Sequence, residues 1–145
     1  MTLNEHAQKV RKELFARYDG VNILWRRAEE QLTKHHIPRA VYYELPDDPD
    51  AEPDPMAGIQ CLAVEKVNGK WRITYGCYPY GEPALGDWKP IVECCAETRV
   101  EAAKHFTGLR LAVIKSAEDF IAEVDAASRQ LAEAIEQDEQ TEELV

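Results

Sequence analysis

Serine is nearly missing from this chain of 145 residues: Ser116 and Ser128 are the only two. Both fall inside a helical pattern and neither stands in a G-x-S-x-G turn, which argues against the serine-nucleophile hydrolases. Phosphate-cradling loops are missing too, with no G-x-x-x-x-G-K-[ST] and no G-x-G-x-x-G, so a nucleotide cofactor is not expected. No apolar run approaches the roughly 18 residues of a membrane span. The N-terminus Met1-Thr2-Leu3-Asn4-Glu5-His6 has neither the basic stretch nor the apolar run of a signal peptide. The expectation is a cytoplasmic chain that does not meet a membrane. A basic stripe is also absent, and 27 acids against 17 bases give a net charge of −10. Nucleic acid is therefore not an expected partner.

Cysteine is sparse and badly spaced for chemistry. Cys61, Cys77, Cys94 and Cys95 are separated by gaps of fifteen and sixteen residues and then stand adjacent. Zinc sites favour close pairs such as C-x-x-C, and a reducing compartment keeps thiols free. Cysteine in strand-like stretches is expected to serve as small apolar filler. Glu101 and His105 share a helical face but have no further ligand cluster beside them. Asp48, Asp50, Glu52 and Asp54 alternate as in a calcium loop, yet Pro53 and Ile59 replace the glycine and closing glutamate such a loop needs. No metal and no cofactor are expected, and no catalytic residue is assigned.

The negative charge that is present is concentrated. Residues 46–55 hold five acids and no base, and residues 133–145 hold six acids and no base. Without these eleven, sixteen acids face seventeen bases. Proline and charge predict a mobile acidic loop over 46–55 and a frayed acidic tail over about 137–145.

Between and beside these segments the apolar pattern is regular. Leu3, Ala7, Val10, Leu14, Tyr18, Val21, Trp25, Ala28 and Leu32 repeat every 3.6 residues, which predicts one long N-terminal helix ending before Pro38. Short β-forming stretches follow at 39–45, 58–67, 70–75 and 88–93. Asn68-Gly69 joins the second and third as a type I′ hairpin. Pro90 places the last strand at an edge. From about Glu97 the apolar residues Val100 to Ile135 recur at a mean of 3.5, the coiled-coil repeat. Continuity of that register predicts one helix, while Ser116-Ala117-Glu118-Asp119 reads as a cap that would divide it in two. The fold class is α+β, a single domain over 1–145. It comprises a long N-terminal helix, an antiparallel meander of about four strands and a long C-terminal helical segment of one helix or two.

Two functional readings follow. Helices far longer than the usual 10–14 residues carry more apolar stripe than a small sheet covers. The leading expectation is thus a non-catalytic protein-binding or assembly module. Its partner is itself, as a homodimer, or another protein, met through Trp25, Ile114, Ile121, Val124 and Leu131. The alternative is a small-molecule-binding protein or minor enzyme. Its pocket would lie between the sheet and the C-terminal helix, rimmed by Tyr75, Tyr78, Tyr80 and Trp88. Tyrosine combines a large contact surface with a hydrogen-bonding tip, and long loops are often functional.

Overall fold

The structure, a computed structural model, describes residues 1–35, 37–47, 49, 50, 52, 58–79, 82 and 86–143. Helix α1 spans Leu3–Thr33 without interruption at Asp19-Gly20. It starts at a capping box: the Glu5 amide donates to Thr2 Oγ1 at 3.1 Å, and the Thr2 amide donates to Glu5 Oε2 at 3.0 Å.

Four strands follow in chain order, β1 (Val41–Glu44), β2 (Ile59–Val67), β3 (Lys70–Tyr78) and β4 (Asp87–Pro90), each antiparallel to its neighbour. The β2–β3 turn has Asn68 at φ 53° and Gly69 at φ 82°, the two positive values a type I′ turn requires. Strand β3 runs on through Tyr78, three residues beyond the β-forming stretch at 70–75. Strand β4 stops at Pro90, and Ile91–Glu93 turns into a short 3-10 helix instead of extending the strand. The Cys94 amide closes that turn on the Ile91 carbonyl at 3.1 Å, and Ile91 is fully buried.

The antiparallel register puts Leu62 and Val64 of β2 beside Tyr75 and Ile73 of β3 on one face. Both long helices lie on that face, α1 towards β3 and the C-terminal helix towards β1 and β2. Trp25, Leu32, Ile91, Ala102 and Leu109 complete the core. Full burial of a side chain such as Leu62 or Leu109 contributes about 1.5–3 kcal/mol.

The C-terminal segment is two helices, but the division is not at Ser116. Helix α2 covers Ala96–Ala103 and α3 covers Phe106–Glu143, with Ser116 inside α3. At the joint, the amides of Lys104 and His105 bond three residues back, to Glu101 and Ala102, at 3.3 and 2.9 Å. This tightened turn redirects the chain. Phe106 then meets Trp25 edge-on, with ring centroids 5.9 Å apart, and Leu109 enters the core. The apolar spacing hides the joint because Ala103 and Thr107 are still four apart across it. Across the supposed Ser116 cap, Lys115 pairs with Asp119 at 3.0 Å in an ordinary helical step.

Both long helices outrun the body. Every side chain from 1 to 17 is exposed, as is every one from 118 to 143 except Ala126. At 1.5 Å per residue α3 is about 57 Å long. It continues through 137–143, the part of the acidic tail expected to fray. Of the acidic loop, Asp48, Ala51, Pro53, Asp54 and Pro55 lie outside the described residues, and so does Tyr80.

Candidate functional site

Of the residues expected to rim one pocket, Tyr75 and Tyr78 do not come together. Residues two apart on a strand share a face, so Tyr75 looks towards the helices while Tyr78 looks away from them. Tyr75 borders a cleft of about 160 Å³ with Leu45, Gln60, Glu97, Thr98 and Glu101. Ligand pockets usually enclose about 300–1,000 Å³. Tyr78 and Trp88 instead stack at 5.6 Å on the opposite face, with Tyr42 edge-on to Trp88 at 5.5 Å. These rings lie over Gly76, whose missing side chain leaves the space the Trp88 indole fills.

Beneath and beside them the polar groups are satisfied. Tyr42 donates to Glu65 at 3.2 Å, Thr74 donates to the same carboxylate at 3.0 Å, and Tyr78 donates to Glu44 at 3.4 Å. Burial raises the Tyr78 and Tyr42 phenols above their usual range, helped by these carboxylates. Cys61 sits in the same layer, fully buried, with its thiol pushed up to about 11 by burial. Neutral phenols and a neutral thiol make this a packed aromatic cover, poor in groups for proton transfer at neutral pH. Elsewhere, Cys95 is exposed, and a hydrogen bond with Thr98 at 3.2 Å lowers its thiol below the ordinary value. Among the described residues no group of three His, Cys, Asp or Glu side chains converges as a metal site would. Nor is any described helix long and apolar enough to cross a membrane.

The larger feature is the pair of free helix faces. On α3, Ile114, Ile121, Val124, Leu131 and Ile135 are all exposed, Ile121 at 62% and Leu131 at 65%. Ile114, Ile121, Ser128 and Ile135 stand seven apart, and Ala117, Val124 and Leu131 repeat seven apart three residues later. These are the a and d positions of a heptad seam. On α1, Leu3, Val10, Leu14, Phe15, Ile23 and Leu24 are exposed. Trp25, assigned above to the interface, belongs to the chain's own core. It is 3% exposed and its indole nitrogen donates to the Arg99 carbonyl at 2.9 Å. Phe15, Ile23 and Leu24 were missed because one 3.6-residue stripe was followed along α1, and they lie beside it. For Leu24 the signal was present: Leu3, Val10 and Leu24 share a seven-residue register, with Arg17 at the remaining position.

Where the helices do meet the body they leave apolar grooves. One of about 200 Å³ is lined by Val21, Leu24, Trp25, Ala28, Ala103 and Phe106. A second of about 460 Å³ lies between Leu32 and His35 of the α1 end and Phe106, Val113, Ile114 and Ala117 of α3. A scan against family models and searches of curated proteins and of solved structures return no match to this chain.

Proposed function

We propose that this chain is a non-catalytic assembly module that works as a homodimer through its long helices. The observation that supports this reading is the heptad stripe of α3, carried past the body with Ile121, Val124, Leu131 and Ile135 in water. Each such side chain, once fully buried, contributes about 1.5–3 kcal/mol. Several together offset the cost of losing translational freedom, put at about 4–15 kcal/mol. A two-fold pair is the simplest arrangement, since one self-complementary surface then serves both copies. The strongly acidic face of α3 favours a protein partner over nucleic acid. Free thiols at Cys61, Cys77, Cys94 and Cys95 suit a cytoplasmic setting. The test is light scattering on the purified chain. A mass of twice 16.5 kDa at micromolar concentration supports the module, and the mass of a single chain contradicts it.

A further inference from the structure

We infer that in this homodimer each copy lays the free N-terminal half of α1 antiparallel along the free C-terminal half of α3 of the other copy, basic seam against acidic seam. The inference rests on the homodimer reading above and specifies how the two copies meet.

The first support is direction. Along α1 the groove-lining residues advance from Val21 to His35, while along the C-terminal segment they advance from Ala103 to Ala117. The two helices therefore run side by side in the same sense. Residues 3–20 of α1 leave the body at one end, and α3 leaves it at the other beyond Glu123, which still pairs with Arg39 at 2.7 Å. Within one chain the two free halves cannot cover each other.

Charge is the second. Helix α3 carries ten acids and three bases. On the heptad read from Ile121 and Val124, Asp138 falls in the seam, with Glu118, Asp125 and Glu139 flanking it. The free part of α1, residues 3–20, holds Lys9, Arg11, Lys12 and Arg17 against Glu5, Glu13 and Asp19. Arg17 falls in its seam and Arg11 beside it. Among the described residues neither Arg17 nor Asp125 has an ion-pair partner within the chain. Pairing α3 with α3 would oppose acid with acid, and flanking charges are what select partners in such seams. Pairing α1 with α3 opposes arginine with carboxylate.

Closure is the third. A two-fold axis across the helices reverses the second copy, so its α3 leaves at the end where the first copy's α1 leaves. Two α1–α3 contacts then form for one association event, and both stripes are covered at once. A head-to-tail filament gains a single contact at each junction for the same loss of freedom. The lengths agree, about 27 Å for residues 3–20 of α1 against about 30 Å for residues 124–143 of α3 at 1.5 Å per residue.

The experiment is zero-length carbodiimide cross-linking of an equimolar mixture of unlabelled and nitrogen-15-labelled protein, with the links read by mass spectrometry. The expected result is mixed-isotope links from Lys9, Lys12 and the N-terminal amine to carboxylates of residues 118–143. The N-terminal amine should reach furthest towards Glu143 and Lys12 should stay nearest Asp125. The opposite order overturns the antiparallel closed pair. A dimer whose mixed links join only Lys115 to α3 acids, or only Lys9 and Lys12 to Glu5 and Glu13, overturns the pairing and leaves the homodimer reading standing. A single-chain mass without mixed links removes both. In parallel, Arg11→Glu with Arg17→Glu, both on exposed positions, should weaken dimerisation by roughly tenfold or more. Adding Glu118→Lys and Asp125→Lys should restore it, and failure of that rescue also counts against the pairing.

Discussion

The ring of Tyr43, on β1, occupies the space that a β-carbon on Gly108, in the first turn of α3, would need. This close approach is how α3 seats on the β1 side of the sheet and sets out along its exposed course. Glycine within a helix normally costs about 1 kcal/mol relative to alanine, so propensity alone says that Gly108→Ala stabilises. The packing says the reverse. Gly108→Ala should destabilise by about 1–3 kcal/mol, the usual range for overpacking a core contact. Urea unfolding followed by circular dichroism checks it, and a midpoint at or above that of the parent protein would contradict the seating of Tyr43.

Glu29 closes a gap that β4 leaves open. Strand β4 pairs with β3 only from Thr74 to Cys77, and the Ile73 amide beyond it donates to Glu29 Oε2 at 3.0 Å. The other oxygen of that carboxylate pairs with Arg72 at 2.7 Å, in a half-buried setting. Glu29→Ala should lower stability by about 1–3 kcal/mol, because a buried amide loses its acceptor. Chemical denaturation of the variant measures this, with no change in midpoint as the contrary result.

The hairpin offers a backbone test. Gly69 holds φ 82°, which β-branched side chains resist. Gly69→Val should cost about 1 kcal/mol or more and lower the melting temperature, although no neighbouring atom would touch the new β-carbon. An unchanged melting temperature would mean that the turn readily adopts another geometry.

Thiol reactivity separates the cysteines by pH. The Thr98 hydrogen bond lowers the Cys95 thiol, so at a given pH near 8 it holds more thiolate than an ordinary cysteine. Burial raises Cys94, and Cys61 lies at about 11 and is inaccessible. Iodoacetamide should therefore modify Cys95 before Cys94 and leave Cys61 intact until the protein unfolds. Thr98→Val should slow the Cys95 reaction at pH 8. Peptide mass mapping over time reads the order, and equal rates for Cys61 and Cys95 would contradict it.

The elements were legible in the sequence where the local signal is strong. The 3.6-residue stripe marks α1, and Asn68-Gly69 with Trp71, Ile73 and Tyr75 alternating marks the hairpin. The α2–α3 joint was not legible, because Val100, Ala103, Thr107 and Leu111 keep their spacing across the turn at Lys104. What sets that turn is a long-range matter, the demand of Trp25 and Tyr43 for Phe106 and Gly108. Trp25 was misplaced for a related reason. Periodicity identifies the apolar face of a helix, but which part of that face the chain itself covers depends on where the sheet ends. The tyrosines were grouped by nearness in sequence, while strand alternation divides Tyr75 from Tyr78. Exposure of Ile121, Val124 and Leu131 follows from helix length, which the heptad pattern does reveal.

The most direct measurement is sedimentation equilibrium across a concentration series, comparing the parent chain with Ile121→Asp and with Leu131→Asp. Both positions are exposed in the single chain, so neither change should disturb folding by itself. The parent should be a dimer at micromolar concentration. Each variant should show at least roughly tenfold weaker association, since an aspartate in a buried seam costs more than 1.4 kcal/mol. A parent chain that remains monomeric across the series, or variants that associate as tightly as the parent, would contradict it.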